Sequence, residues 1–268
     1  MKSTIHVITP ATTADLRCGS EEFRQCERSD LIVTHSYLEI GPASIESEFD
    51  EALSVPDTVR RAVEADRAGA DAIVIDCMGD PGLAACREAV RIPVLGPCQT
   101  AVHFATMLGT RFSFVSVLER LRHMLDHIIG GYGLSSSYAG FESIDIPVLE
   151  LSHGSEKVVK GIAEKALKAI TADHAGAIVL GCTGFMGLAD QVKEILRKQQ
   201  LDVPVIDAMP LTIRVADTIV KCGLSHSKRV YPYPDKKDIA GYKIGNIWRS
   251  EVATSPQAHP LDGEQAAR

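Results

Sequence analysis

Two cysteines sit in matching surroundings. Cys77 opens Cys77-Met78-Gly79-Asp80-Pro81-Gly82-Leu83-Ala84, and Cys182 opens Cys182-Thr183-Gly184-Phe185-Met186-Gly187-Leu188-Ala189. The Cys, both glycines, the Leu and the Ala coincide without a gap. Each thiol follows a short unbroken apolar run, Ala72-Ile73-Val74-Ile75 and Ala177-Ile178-Val179-Leu180. Such runs suit strands buried on both faces of a parallel sheet. Ligands of open α/β sheets bind beyond the carboxyl ends of the strands, so both thiols are expected at a ligand crevice. A helix N-terminus after each thiol would present free N–H groups and partial positive charge. It would draw the thiol pKa from about 8.5 toward neutrality and could hold a carboxylate, imide or enolate oxygen. Two thiols facing each other suit the inversion of a carbon acid. A thiolate removes the α-proton from one face and a thiol donates a proton to the other, each working best with a pKa near the operating pH. No metal or organic cofactor is required when the carbanion is stabilised by its own carbonyls and by backbone donors.

The elements that must position these thiols alternate between strand and helix. Ile5-His6-Val7-Ile8 reads as a first strand before Thr9-Pro10, and residues 11–15 as a helix start with hydroxyl caps. Leu31-Ile32-Val33-Thr34 reads as a second strand, residues 41–46 as a turn-rich loop, and residues 55–68 as an amphipathic helix. Each cysteine block is preceded by a helical pattern, at 58–67 and 157–169. Each is followed by a helix and a Pro-led strand, Ile92-Pro93-Val94-Leu95 and Val203-Pro204-Val205-Ile206. The opening strand at 5–8 has its counterpart at 112–117. These correspondences predict an α/β fold of two pseudo-symmetric Rossmann-like halves, each a three-layer arrangement around a parallel sheet, with the active site in the cleft between them. Residues 1–98 with 206–225 are expected to form the first lobe and 99–205 the second. Residues 226–268 form a C-terminal extension, small and polar from 254 onward and expected to be mobile there.

Composition narrows the function. The 268 residues are 45% hydrophobic and 24% charged, an ordinary globular balance. A net charge of −7 gives no global attraction for nucleic acid or an anionic membrane. One Trp and 5% aromatic residues argue against a stacking platform for single strands. No apolar stretch approaches the ~20 residues of a membrane span. The first residues lack a leader pattern, and the seven cysteines are odd in number without a Cys-x-x-Cys pair. The chain is therefore read as cytoplasmic, without a disulfide framework or zinc ribbon. His123 and His127 lie four apart but lack a His-Glu-x-x-His pattern, so they read as solvated or capping residues and no metal is expected. His103 and His153 could tune a thiol, though nothing in their spacing singles them out. Cys18, Cys26, Cys86 and Cys222 read as packing residues.

Asp76-Cys77-Met78-Gly79-Asp80-Pro81-Gly82-Leu83, Gly41-Pro42-Ala43-Ser44-Ile45-Glu46-Ser47 and Leu180-Gly181-Cys182-Thr183-Gly184 resemble the hydantoin racemase branch of the aspartate/glutamate racemase superfamily. The likeness runs from Ile5 to about Tyr233. It implies Cys77 and Cys182 as the acid–base pair, and cofactor-free racemisation of a 5-substituted hydantoin or of the ureide allantoin. It also implies that the loop Ser44-Ile45-Glu46 is a pocket wall, with Ser44 and Ile45 as substrate contacts. Gly79 and Asp80 on the first turn, and Thr183 and Gly184 on the second, are expected to contact substrate, as is Cys98 after the strand Val94-Leu95-Gly96. Relatives often carry Asn-Pro-Asn-Thr after the first strand. Here Thr9-Pro10-Ala11-Thr12 stands instead, which leaves Pro10 and Thr12 as contacts and removes two amides. Where relatives show an acidic or small residue after the Gly96 strand, this chain has Pro97-Cys98-Gln99-Thr100. The expected partner is a small molecule, with the chain itself a homo-oligomer. An acidic amino-acid racemase, a Cys-dependent isomerase or decarboxylase of small diacids, and a non-catalytic small-molecule sensor on the same fold are the alternatives.

Overall fold

The computed structural model describes residues 2–13, 21–151 and 155–241. The first half contains β1 (Ser3–Thr9), the short α1 (Glu21–Arg24), β2 (Leu31–Tyr37), α2 (Glu48–Arg67), β3 (Ala72–Ile75), α3 (Leu83–Ala89) and β4 (Val94–Leu95), followed by α4 (Pro97–Gly109). The second contains β5 (Phe112–Ser116), α5 (Arg122–Gly131), β6 (Tyr138–Ser143), α6 (Glu156–Thr171), β7 (Ala177–Leu180), α7 (Ala189–Lys198) and β8 (Val205–Ile206), followed by α8 (Ala208–Lys221). The sheet orders are β2-β1-β3-β4 and β6-β5-β7-β8, and every pairing is parallel. The second half therefore repeats the topology of the first. Matching registers, Ile8 beside Ile75 and Val115 beside Leu180, bring both cysteine turns to the carboxyl ends of their sheets.

All four residues of β3 and of β7 are buried. Their unbroken apolar character follows from cover on both faces. On one face of the first sheet, Ile8, Ile73 and Ile75 pack with Val59 and Ala62 of α2 and Cys86 of α3. On the other, Ile5, Val7 and Val74 pack with Ile213 and Ala216 of α8. The halves exchange their last helices. α4 leaves the first sheet but lies on β5 and β7, whereas α8 leaves the second and lies on β1, β3 and β4. α4 and α8 also pack on each other, which joins the two lobes. Each sheet thus gets its second layer from the helix that follows the other sheet's last strand.

Two local expectations shift. The helix expected from residue 55 begins at Glu48, because Ser47 caps it. The Ser47 Oγ accepts from the Asp50 amide at 3.1 Å, and the polar first turn hides the apolar period that starts at Val55. Residues 11–13 do not start a helix. Ala11 accepts from the Leu38 amide at 3.0 Å and Thr12 donates to the Pro42 carbonyl at 2.9 Å, so the chain runs along the 38–42 loop instead. Residues 14 and 15 lie outside the described residues. Beyond α8 the chain crosses the first lobe without regular structure. Lys228 Nζ donates to the carbonyls of Arg87, Glu88 and Val90 at 2.7, 3.2 and 2.6 Å, a cation on the open C-terminal end of α3. Residues 254–268, expected to be mobile, lie outside the described residues.

The junction of α4 with β7 depends on two glycines. A Cβ at Gly176 would collide with the backbone oxygen of Gly109, where only main chain could yield. Gly176→Ala is expected to lower unfolding free energy by about 2–4 kcal/mol in urea titrations. Gly131→Ala on α5, where a Cβ would meet nothing within 4 Å, should instead be neutral or stabilising by less than about 1 kcal/mol.

Candidate functional site

A cavity of about 180 Å³ opens where the two cysteine turns face each other. The first lobe contributes Pro10, Ile45, Asp76, Cys77 and Gly79, and the second Gly181, Cys182, Thr183 and Gly184. Neither cysteine is in a disulfide, and both are partly accessible. The turns touch directly, since the Thr183 hydroxyl donates to the Asp76 carbonyl at 3.3 Å. Their local geometry matches as well. The Gly79 amide points at the Cys77 Sγ at 3.4 Å, and the Gly184 amide at the Cys182 Sγ at 3.3 Å. A Cβ added at Gly184 would crowd the Cys182 Sγ at 3.3 Å, whereas one at Gly79 would stand at an ordinary 3.6 Å from the Cys77 Sγ. The spacing Cys-x-Gly thus brings one backbone donor onto each thiol.

The remaining wall is uneven. Val117, Leu121, Met124, Leu125, Val148 and Leu151 give the second lobe's side an apolar surface. The first lobe supplies the polar side. Asp76 Oδ2 accepts from the Thr9 hydroxyl at 2.7 Å, and the Thr9 Oγ1 is itself 2.8 Å from His35 Nε2. Among the described residues, Asp76 is the one charged side chain on the wall, and neither Lys nor Arg lines it. The 41–46 loop reaches across, with the Val148 amide donating to Glu46 Oε1 at 2.6 Å.

The expectation that a helix N-terminus acidifies the thiols is not met at Cys77. α3 starts six residues beyond Cys77 and α7 seven beyond Cys182; only a single 3₁₀ turn, Thr183–Phe185, follows the second thiol closely. Burial pushes the Cys77 thiol well above its ordinary range. The Gly79 amide opposes this, while Glu51, Cys182 and Asp76 add to it. The cause is general: taking a thiolate out of water costs more than one neutral N–H returns. A negative charge on either sulfur also opposes one on the other.

The structure separates the other expected contacts. Pro10, Ile45, Gly79, Thr183 and Gly184 lie on the cavity wall, and Thr12, Ser44, Asp80 and Cys98 do not. Thr12 directs both its amide and its hydroxyl to the Pro42 carbonyl. Cys98 is fully buried in the second lobe's core. Asp80 is buried beneath the turn. Its carboxylate accepts from the Cys98 amide at 3.0 Å, the Gln99 amide at 2.8 Å and the Tyr132 hydroxyl at 2.6 Å. It caps the α4 N-terminus and ties that helix to α5, and burial pushes its pKa up to about 6 against those hydrogen bonds. Gly96 makes room for it, because a Cβ there would overlap the Asp80 carboxyl. The apolar wall and Asp76 were not singled out in the sequence as contacts. Asp76 carried one signal, as a charged residue where the second copy has Gly181. His123, His127 and His103 lie off the wall, and His153 lies outside the described residues. Among the described residues no group of three or more His, Cys, Asp or Glu side chains is arranged to hold a metal ion, and no helix is long and apolar enough to cross a membrane.

Comparison with known proteins places the chain in a family. Residues 5–216 match the family model described as Asp/Glu/hydantoin racemase. A hydantoin racemase from Pseudomonas sp. (strain NS671) is 36% identical over 252 residues, covering 93% of this chain and 99% of the relative. The structure of allantoin racemase from Klebsiella pneumoniae superposes with a TM-score of 0.81 at 34% identity, covering 90% of this chain and 97% of that one. Allantoin racemase from Pseudomonas fluorescens also gives 0.81, at 28% identity, covering 89% and 100%.

Proposed function

The chain belongs to the Asp/Glu/hydantoin racemase family, and we propose that it racemises 5-substituted hydantoins by passing a proton between Cys77 and Cys182. The observation that carries this reading is the pair of cysteines outside any disulfide, on matching turns from opposite lobes, at one cavity. The C5 hydrogen of a hydantoin is acidified by the neighbouring ring carbonyl. A thiolate on one face takes that proton and leaves a planar enolate. The thiol on the other face returns its own proton, so C5 is inverted and the negative charge has moved to the second sulfur. The next turnover in the same sense requires the charge to move back, and the reverse substrate returns it directly. The amides of Gly79 and Gly184 stay with the sulfurs throughout, stabilising whichever carries the charge. With this reading go a cytoplasmic location and assembly as a homo-oligomer.

The wall argues for the substituent. Leu121, Met124, Leu125 and Leu151 offer no hydrogen bonds, so an alkyl or aryl group at C5 would bury its surface there. The ureido arm of allantoin would lose water without replacement, at about 1–3 kcal/mol for each unpaired group. A free acidic amino acid or diacid would also lack a cationic anchor among the described wall residues. Single enantiomers of 5-isobutyl- and 5-benzylhydantoin, and of allantoin, should be followed in D₂O by optical rotation and by loss of the C5 proton signal. The two apolar hydantoins should racemise with kcat/KM at least about tenfold above allantoin, the ratio of one lost hydrogen bond. Allantoin turning over faster would overturn the preference. Absence of exchange above the spontaneous rate with every ring would overturn the hydantoin reading. Tight binding without exchange would indicate a sensor.

A further inference from the structure

Glu51 stands behind the cysteine pair without taking part in the proton transfer just described. It lies in the first turn of α2. Its Oε2 is buried and makes no hydrogen bond. That oxygen is 2.8 Å from the point where a Cβ of Gly79 would stand, and the Cys77 Sγ is 3.6 Å from the same point. Carboxylate and thiol therefore flank one glycine whose amide holds the sulfur. A buried carboxylate oxygen without a donor is costly. The first turn of α2 favours an acidic residue, but that role is served from solvent and does not call for burying the oxygen beside the cysteine turn.

A two-thiol racemase needs one thiol and one thiolate, and two similar turns do not by themselves decide which sulfur holds the charge. We propose that Glu51 makes that choice, its carboxylate beside Gly79 keeping Cys77 protonated in the free protein and leaving the thiolate to Cys182. The proposal rests on the two-thiol reading. The groups that act on Cys77 are anionic or become so: Glu51 from α2, Asp76 from the end of β3, and Cys182 from the facing turn. Those that act on Glu51 are Asp80 beneath the cysteine turn and Glu48 on its own helix. Burial and these two carboxylates push the Glu51 pKa up to about 7. The sign follows. Below that pH Glu51 is neutral and the bias relaxes. Above it Glu51 is charged, Cys77 ionises less readily and Cys182 carries the thiolate. Glu51 is thus a positioning residue, acting on Cys77 and not on substrate.

Iodoacetamide labelling without substrate, resolved by peptide mass spectrometry, reads the two thiols separately. In the native protein the ratio of Cys182 to Cys77 alkylation should rise about tenfold between pH 6 and pH 8, equivalent to one pKa unit. In Glu51→Gln the ratio should stay flat, with Cys77 alkylated about tenfold faster than native at pH 8 and equally fast at pH 6. A merely structural effect would change Cys77 labelling by one factor at every pH and would overturn the proposal. So would a native ratio that does not rise with pH, a result available even if the variant fails to fold. Loss of the Glu51 effect would leave racemisation by the cysteine pair intact. Failure of the pair itself would appear in the cysteine variants, whatever Glu51 does to labelling.

Discussion

Cys77→Ala and Cys182→Ala should each abolish racemisation, lowering turnover of a single hydantoin enantiomer by ~10³-fold or more, the scale of one lost acid–base group. The two variants should not be silent in the same way. Each keeps one thiol on one face of the cavity. With Cys182 alone, the enantiomer whose C5 hydrogen faces that sulfur should still exchange deuterium from solvent without inverting. With Cys77 alone, the opposite enantiomer should do so. Proton NMR in D₂O with separated enantiomers distinguishes exchange from inversion. Complementary one-sided exchange is the expected pattern. Normal racemisation by both variants would rule out the paired-thiol mechanism. Exchange of both enantiomers by one variant would indicate a base other than the missing cysteine.

The second large effect concerns stability. Asp80→Ala removes an acceptor that serves three donors: the amides of Cys98 and Gln99 and the Tyr132 hydroxyl. All three would be left in a closed site, at about 3–5 kcal/mol in total. Urea denaturation should register that loss. Tyr132→Phe, which deletes only the hydroxyl, should cost about 1 kcal/mol. The difference between the two variants measures the capping of α4. If Asp80→Ala unfolds at the native midpoint but loses substrate affinity, then the carboxyl reaches substrate after all, and the capping role is the wrong one.

Much of the fold was legible because its signals are local. The apolar runs at 72–75 and 177–180 read as buried parallel strands, and they are β3 and β7. The repeated Cys-x-Gly-x-x-Gly-Leu-Ala block revealed two similar halves, and the sheet orders repeat accordingly. The start of α2 was less legible. Its first turn is polar, so the cap at Ser47 lies outside the apolar period, while the chain after β1 follows the 38–42 loop for want of its own hydrogen-bonding partners. The candidate site was read unevenly for a similar reason. Which residues adjoin the cysteines is a matter of sequence. Whether a turn residue faces the cavity or the core depends on backbone rotation over a few positions. Asp80 adopts a left-handed conformation, φ 49°, in the reversal before α3, and its carboxylate lies on α4 although Gly79 beside it reaches the cavity.

By itself the sequence determined the alternating elements, the internal repeat and the pair of thiols with their glycines, all properties of short stretches of chain. The tertiary structure alone decided that α4 and α8 pack on each other, that apolar side chains of the second lobe form one wall, and that Glu51 ends beside Cys77 from a helix 26 residues earlier in the chain. It also decided the ionisation of Cys77. A thiol's pKa is set by the water it loses and by charges brought near it, and neither quantity exists until distant segments have packed together.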